Sequence, residues 1–389
     1  MDSLEVRKIK NGIANDKYNI LLQSWQRESR NGTLQKYPDY FGGAYIDDDN
    51  NLVIMLTDSS ESIKTGIGNI IDLTGVLFKE ARYSLAELSC ARDGILKEKA
   101  TANNELYKYI VATGISQSKN AVNLYICLPP DCADENLFIE SLKSSVTDFE
   151  GINVIISGPD MNCSSVLLGS AITNSYWVDN IQGGQAKSAT RSVGFWAIKD
   201  GNYGIVTAPH DIMFKGNTIT IGSQTFGVAD EPNYTNNGTI DAIFVRRTNS
   251  DFSASNTIDY WNSSLSTTNY GNPAEGSDIY GAGERTGKIS GKVVDNCYSV
   301  STDNITITDC VLTDALCNNG DSGGTVFSQS STLGYLIAGI VKAKKRVPGS
   351  EDFKNDPGYM IYCKYKNIID GLGVTRYLPT RENEEGSVQ

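Results

Sequence analysis

The string Asn318 to Phe327, NNGDSGGTVF, sets a serine among glycines directly before an apolar strand. A serine hydroxyl attacks a carbonyl only when a base takes its proton and donors await the oxyanion that forms. Glycines lack Cβ and permit the tight turn that aims backbone N–H groups at one point, which makes Gly320 and Ser322 the candidate oxyanion donors. Asp321 is expected to brace this loop through a buried ion pair. An ordinary Gly-rich turn is the bland alternative, but the full GDSGG string is specific for so short a motif.

The chain holds one histidine, His210, in YGIVTAPHD directly after a short apolar strand. Any imidazole base must be this residue. A carboxylate should then accept the imidazole Nδ1–H and fix its tautomer. Asp241 in NGTIDAIFVRR fits best, because it opens an apolar strand and can point into a cleft; a turn cap is its bland reading. Asp230 and Asp251 compete from polar loops, and Asp259 from the short run TIDYW.

The elements that position these residues follow from composition and pattern. The chain has 389 residues, enough for two or three domains with full cores, and a net charge of −12. That charge argues against binding nucleic acid across a basic face, and no run approaches the roughly 18 apolar residues of a spanning helix. One histidine cannot build an HExxH site, the eight cysteines include no C-x-x-C pair, and the chemistry calls for neither metal nor cofactor. The opening MDSLEVRKIKNG lacks the apolar core of a signal peptide, so no compartment is read from it.

Apolar spacing predicts a helix from about Ser3 to Arg30, through Leu4, Val6, Ile9, Ile13, Tyr18, Leu21, Leu22 and Trp25. Two strands are expected around the turn Asp47 to Asn51, a helix over Asp72 to Lys99, a strand at Asn123 to Leu128, a helix over Glu135 to Phe149, and a strand at Asn153 to Ser157. This is an α+β region. From about residue 180 short runs such as SVGFWAI, YGIVTA, DAIFV and LIAGIV alternate with Gly, Asn, Ser and Thr, which predicts an all-β domain. The expected division is 1–180, 181–378 and a flexible tail, 379–389.

The order His210, Asp241, Ser322, with TAPH and GDSGG, resembles the chymotrypsin-like serine peptidases, and more closely their bacterial branch of streptogrisins and alpha-lytic protease. NIQGGQAKSATRSVGFWAI is similar to that branch's mature start, YGAGERTGKISGKV to its Gly-Arg-Thr-rich strand, and GYMIYCKYKNIIDGLGV to its last strand and terminal helix. YPDYFGGAYIDDDNNLVIMLTD resembles its pro-region. The resemblance implies two six-stranded antiparallel β-barrels, endopeptidase activity on protein or peptide substrates, secretion, and an N-terminal zymogen segment that acts as intramolecular inhibitor and foldase until cleavage near Asp179 to Gly184.

The chain departs from that pattern in three places. Pro209 precedes the histidine, no cysteine follows it, and Lys342, Ala343 and Lys344 stand where the family places a serine and glycines in the substrate-binding wall. Two ammonium groups in that wall would favour an acidic substrate side chain; a solvated strand end is the competing reading. These departures also motivate an alternative function, a catalytically silent binding protein that keeps the fold. A regulatory or chaperone-like role carried by the N-terminal region is a third. Cys297 and Cys310 flank the turn Ser301 to Asn304 and could pair, Cys317 could partner Cys363, and free buried thiols are the alternative.

Overall fold

The computed structural model describes residues 3–29, 32–35, 37–101, 105–129, 132, 134–156, 178–180, 189–209, 213–221, 224–252, 254, 256–258, 261, 263–301, 306–347 and 356–377. An N-terminal α+β region is followed by a β-rich one. They form two compact units, and the first is not continuous in sequence: it comprises 1–162 together with 273–278 and 292–304. The second comprises 163–272, 279–291 and 305–389.

The first unit opens with the helix Ser3–Ser24. Its first half buries Asn11 and Asn15 rather than the apolar stripe that the spacing predicts, while Val6, Ile9 and Ile13 stay largely exposed. The reason is a hydrogen-bonding demand. Asn11 accepts from the Asp278 N–H, and Asn15 accepts from the Ala274 N–H and the Ser277 hydroxyl. The second half behaves as predicted, with Tyr18, Leu21 and Leu22 in the core.

Phe41–Ile46 and Leu52–Leu56 form the expected hairpin. The expected helix over 72–99 is instead two elements. Val76–Glu80 is a strand parallel to Leu52–Leu56, and the helix begins only at Leu85. A capping box marks that start, the Ser84 N–H donating to the Glu87 carboxylate and the Glu87 N–H to Ser84 Oγ. Apolar residues on a strand and on the following helix had merged into one apparent period. Ile110–Ser116, Ala121–Ile126 and Ile152–Ile156 lie side by side at one end of a larger sheet, with the helix Glu135–Val146 as crossover between the last two, which are parallel.

The two distant segments of this unit each carry an acid that gathers donors. Asp295 is fully buried and accepts from the Ile115 and Cys297 N–H groups, the Asn123 amide and the Tyr125 hydroxyl. Gly114 must be glycine here, since a Cβ would lie 1.8 Å from Asp295 Oδ2. Glu275 accepts from the N–H groups of Gln117 and Ser118 and from the hydroxyls of Ser116 and Ser118. Ser299 and Val300 pair with Thr113 and Ala112 and so extend the sheet.

The second unit carries one sheet of nine strands, where the resemblance implies barrels of six. The surplus comes from short strands of two or three residues, among them Val178–Asn180, Ala189–Arg191 and Thr375–Arg376. Its central path runs through Thr218–Ile221, Gln224–Ala229, Asp241–Arg247, Asn202–Thr207 and Phe195–Lys199, packed over Trp196, Ile205, Ile219, Phe226, Ile243 and Val245. The strand Gly334–Arg346 lies between Thr325–Ser330 and Gly358–Lys364, and Gly358–Lys364 also pairs with Thr306–Cys317. The residues 181–188 and 379–389, and most of the expected cleavage segment, lie outside the described residues.

The register corrects both cysteine pairings. Cys310 lies directly opposite Cys363, and Cys317 lies opposite Gly358. All seven described cysteines are free thiols. Cys310 and Cys363 are buried, and the hydrogen bond between them, followed by burial, pushes the Cys310 thiol well up. Counting thiols under denaturing, non-reducing conditions should find all eight free in protein prepared reduced. Refolding with an oxidant should link Cys310 to Cys363 first, as read by peptide mapping; a Cys297 to Cys310 bridge would contradict the register.

Burial pushes the Glu275 carboxyl up to about 7, with the Ser118 hydrogen bond opposing and the Asp295 charge reinforcing. In the unfolded chain the group titrates near its ordinary value of 4.5. The folded state therefore binds the extra proton between these values, and stability falls as pH rises from about 4.5 through about 7. At about 1.4 kcal/mol per pKa unit, and discounting for partial exposure, the loss is about 1 to 3 kcal/mol. Glu275→Gln should remove this part of the slope in denaturant titrations at pH 5 and pH 7.5; an unchanged slope would refute the assignment.

Candidate functional site

The serine loop is built around the carboxylate of Asp321. This side chain is fully buried and accepts four hydrogen bonds, from the N–H groups of Asn318 (2.7 Å), Arg285 (3.0 Å) and Thr286 (2.9 Å) and from Thr286 Oγ1 (2.5 Å). The expected ion pair is not what braces the loop: Arg285 contributes its backbone N–H and its side chain is exposed. Burial raises the Asp321 carboxyl and the four donors pull it back. Gly283 gives this carboxylate room, because a Cβ there would lie 2.3 Å from Asp321 Oδ1.

Further bonds fix the chain on both sides of Ser322. The Asp321 N–H donates to Asn318 O, and the Gly324 N–H to Asp321 O, closing two turns in succession. The Gly323 N–H donates to Val341 O, and the Val341 N–H returns a bond to Gly324 O. Gly320 sits at φ 125° and Gly323 at φ 86°, in the region that favours glycine. Among the described residues no group accepts from the N–H of Gly320 or of Ser322. Ser322 itself is nearly buried. A fixed serine beside two unengaged amides in a dry turn is what acyl transfer requires of its nucleophile and oxyanion donors.

Ser192 ties this loop to the strand that leads toward His210. Its N–H donates to Ser322 O, its hydroxyl to Asp321 O, and its carbonyl accepts from Thr207 Oγ1 at 2.6 Å. Thr207 ends the strand Asn202–Thr207, and a Cβ on Gly323 would meet Thr207 Oγ1 at 2.3 Å and the Ala208 N at 3.1 Å. The backbone two residues before His210 therefore lies against the residue after Ser322. His210 itself lies outside the described residues. Sequence reasoning missed Ser192, Thr207 and Thr286, whose small hydroxyls leave no periodic signal.

Asp241 is the first residue of Asp241–Arg247 and is fully buried. The antiparallel register ends with Thr207 opposite Ile243, three residues before His210 and two after Asp241. The competing carboxylates are placed differently. Asp230 pairs with Lys199 at 3.3 Å on a partly exposed site, Asp251 is exposed, and Asp259 lies outside the described residues.

Lys342 and Lys344 are both buried. Their burial rules out a solvated strand end. The Lys342 Nζ lies 2.6 Å from Asp241 Oδ2, and the Lys344 Nζ donates to the Asp356 carbonyl at 2.6 Å. Ala343 between them is half-buried, and its carbonyl faces Cys317 Sγ at 3.8 Å. Among the described residues no cluster of metal-ligating side chains occurs.

Residues 5–81 match the family model of the Pro-like N-terminal domain. About half of the chain aligns with solved structures of proteases. Thermobifida fusca protease A aligns at 19% identity over 54% of this chain and 100% of its own, with a TM-score of 0.42. Nocardiopsis protease (NAPase) aligns at 22% identity over 55% of this chain and 99% of its own, with a TM-score of 0.41. A glutamic acid-specific serine protease aligns at 25% identity over 51% and 97%, with a TM-score of 0.40. No curated protein sequence matches the chain.

A methyl group at position 323 would test the packing that joins the two halves of the site. Gly323→Ala adds a Cβ at positive φ against Thr207 Oγ1 and Ser192 O. It should cost about 2 kcal/mol or more in urea unfolding, through a shifted midpoint at constant slope. A change below about 0.5 kcal/mol, the size of an ordinary surface substitution, would show that this contact is loose.

Proposed function

We propose that the β-rich unit is a serine endopeptidase. Ser322 Oγ attacks the scissile carbonyl, His210 takes its proton and returns it to the leaving amine, and Asp241 orients the imidazole and balances its charge. The backbone N–H groups of Gly320 and Ser322 receive the oxyanion. Water then attacks the acyl-enzyme with His210 again as base, and the free serine is regenerated. The observation that carries this reading is the Asp321-braced loop, in which the N–H groups of Gly320 and Ser322 meet no acceptor among the described residues and Gly323 packs against the strand end before the chain's one histidine.

The N-terminal unit is read as a pro-region-like partner of the peptidase, and the match of residues 5–81 to the Pro-like N-terminal domain supports this. Inhibition and assisted folding by this unit belong to the same proposal. Residues 273–278 and 292–304 complete its fold, so a cut within 163–188 would leave residues 1–162 held by their buried hydrogen bonds to those segments.

One observation favours a second reading. The ion pair of Asp241 with Lys342 occupies a carboxylate oxygen with a cation, as a silent protein that has given up imidazole chemistry could tolerate. Mass-spectrometric profiling of peptides cut by the purified chain separates the two. Ser322→Ala and His210→Ala should each lower hydrolysis by about a thousandfold or more, and Asp241→Asn should leave a larger remnant. Full activity in Ser322→Ala would identify another nucleophile, and no cutting by the unaltered chain would favour the silent reading.

A further inference from the structure

Lys342 owes its position to an irregularity in the sheet. The strand Gly334–Arg346 pairs Val341 with Tyr362 and Ala343 with Ile361, so Lys342 is an extra residue with no partner position of its own across the ladder. A bulge of this kind interrupts strict alternation and re-aims one side chain. Here it sends the ammonium to Asp241, with the two side chains only 6% and 0% exposed. The Tyr234 ring, from the strand paired with Asp241, lies 5.5 Å from the same Nζ.

A buried carboxylate needs donors, and neutral hydroxyls or amides would orient one adequately. A cation does more. It removes much of the negative potential that a carboxylate projects onto a neighbouring imidazole, and that potential is what stabilises the protonated ring. The inference rests on reading Asp241 as the carboxylate of the triad. We propose that Lys342 is a positioning residue of this site, which fixes the Asp241 carboxylate and offsets its charge so that His210 becomes an unprotonated base at lower pH.

The ammonium is engaged by Asp241. Among the described residues the Tyr234 ring also faces it, and the Lys342 charge acts on the Cys310 thiol.

The single histidine makes this measurable in the full chain, because selective isotope labelling of histidine gives one imidazole signal. Its titration midpoint should rise by about one pH unit in Lys342→Ser and in Lys342→Met, the second variant keeping the packing of the stem if the first fails to fold. Lys342→Arg should keep the midpoint of the unaltered protein. The acid limb of kcat/KM should move with the signal. An unchanged midpoint in either folded neutral variant overturns the proposal, as does a midpoint that moves down. A chain that cuts no peptide overturns the peptidase reading alone, since the imidazole signal still reports whether Lys342 governs His210.

Discussion

A buried carboxylate cannot remain in a protein interior unless donors converge on it, and Asp321 is that carboxylate in the β-rich unit. Three backbone amides and one hydroxyl, from the turn at 285–286 and from Asn318, meet its two oxygens. The demand fixes its neighbours: Gly283 has to lack a Cβ, and Gly320 and Gly323 have to adopt positive φ. Ser322 follows directly in the chain, so bracing Asp321 also sets the serine and the amides beside it. Ser192 then carries the constraint outward, joining the loop to Thr207 and the strand end that precedes His210. The network is cooperative in the sense that each polar group is held by a partner that is itself held.

The second constraint is electrostatic. Asp241 and Lys342 form a pair almost excluded from water, and removing either partner would leave a buried charge uncompensated. The pair joins the first residue of Asp241–Arg247 to a bulge in Gly334–Arg346, so it fixes the carboxylate from a strand far away in sequence. Val341, next to Lys342, exchanges backbone bonds with Gly323 and Gly324. The serine loop and the Asp241 partner thus hang on adjacent residues of one strand.

Local turn geometry was legible in the sequence. GDSGG is local, and the structure realises it with local turns; Asp241 stood out because it opens an apolar strand, and it is buried while Asp230 and Asp251 are not. Long-range effects were not legible. Strict alternation puts Lys342 and Lys344 on one face, and a one-residue bulge invisible to any pattern aims Lys342 at Asp241. The helix Ser3–Ser24 turned Asn11 and Asn15 inward because residues 274–278, some 260 positions later, need their hydrogen bonds. For the same reason a contiguous division of the chain could not show that 273–278 and 292–304 complete the N-terminal unit. The start of the helix at Leu85 was legible in principle, through the Ser84 and Glu87 capping box.

The central claim is that a braced loop makes Ser322 a nucleophile, and covalent trapping tests it most directly. The full chain is incubated with a fluorophosphonate, digested, and the adduct located by mass spectrometry. The account predicts one phosphonylated residue, Ser322, and no adduct when His210 is replaced by alanine. An unmodified Ser322 in folded protein, or label spread over other serines, would contradict it.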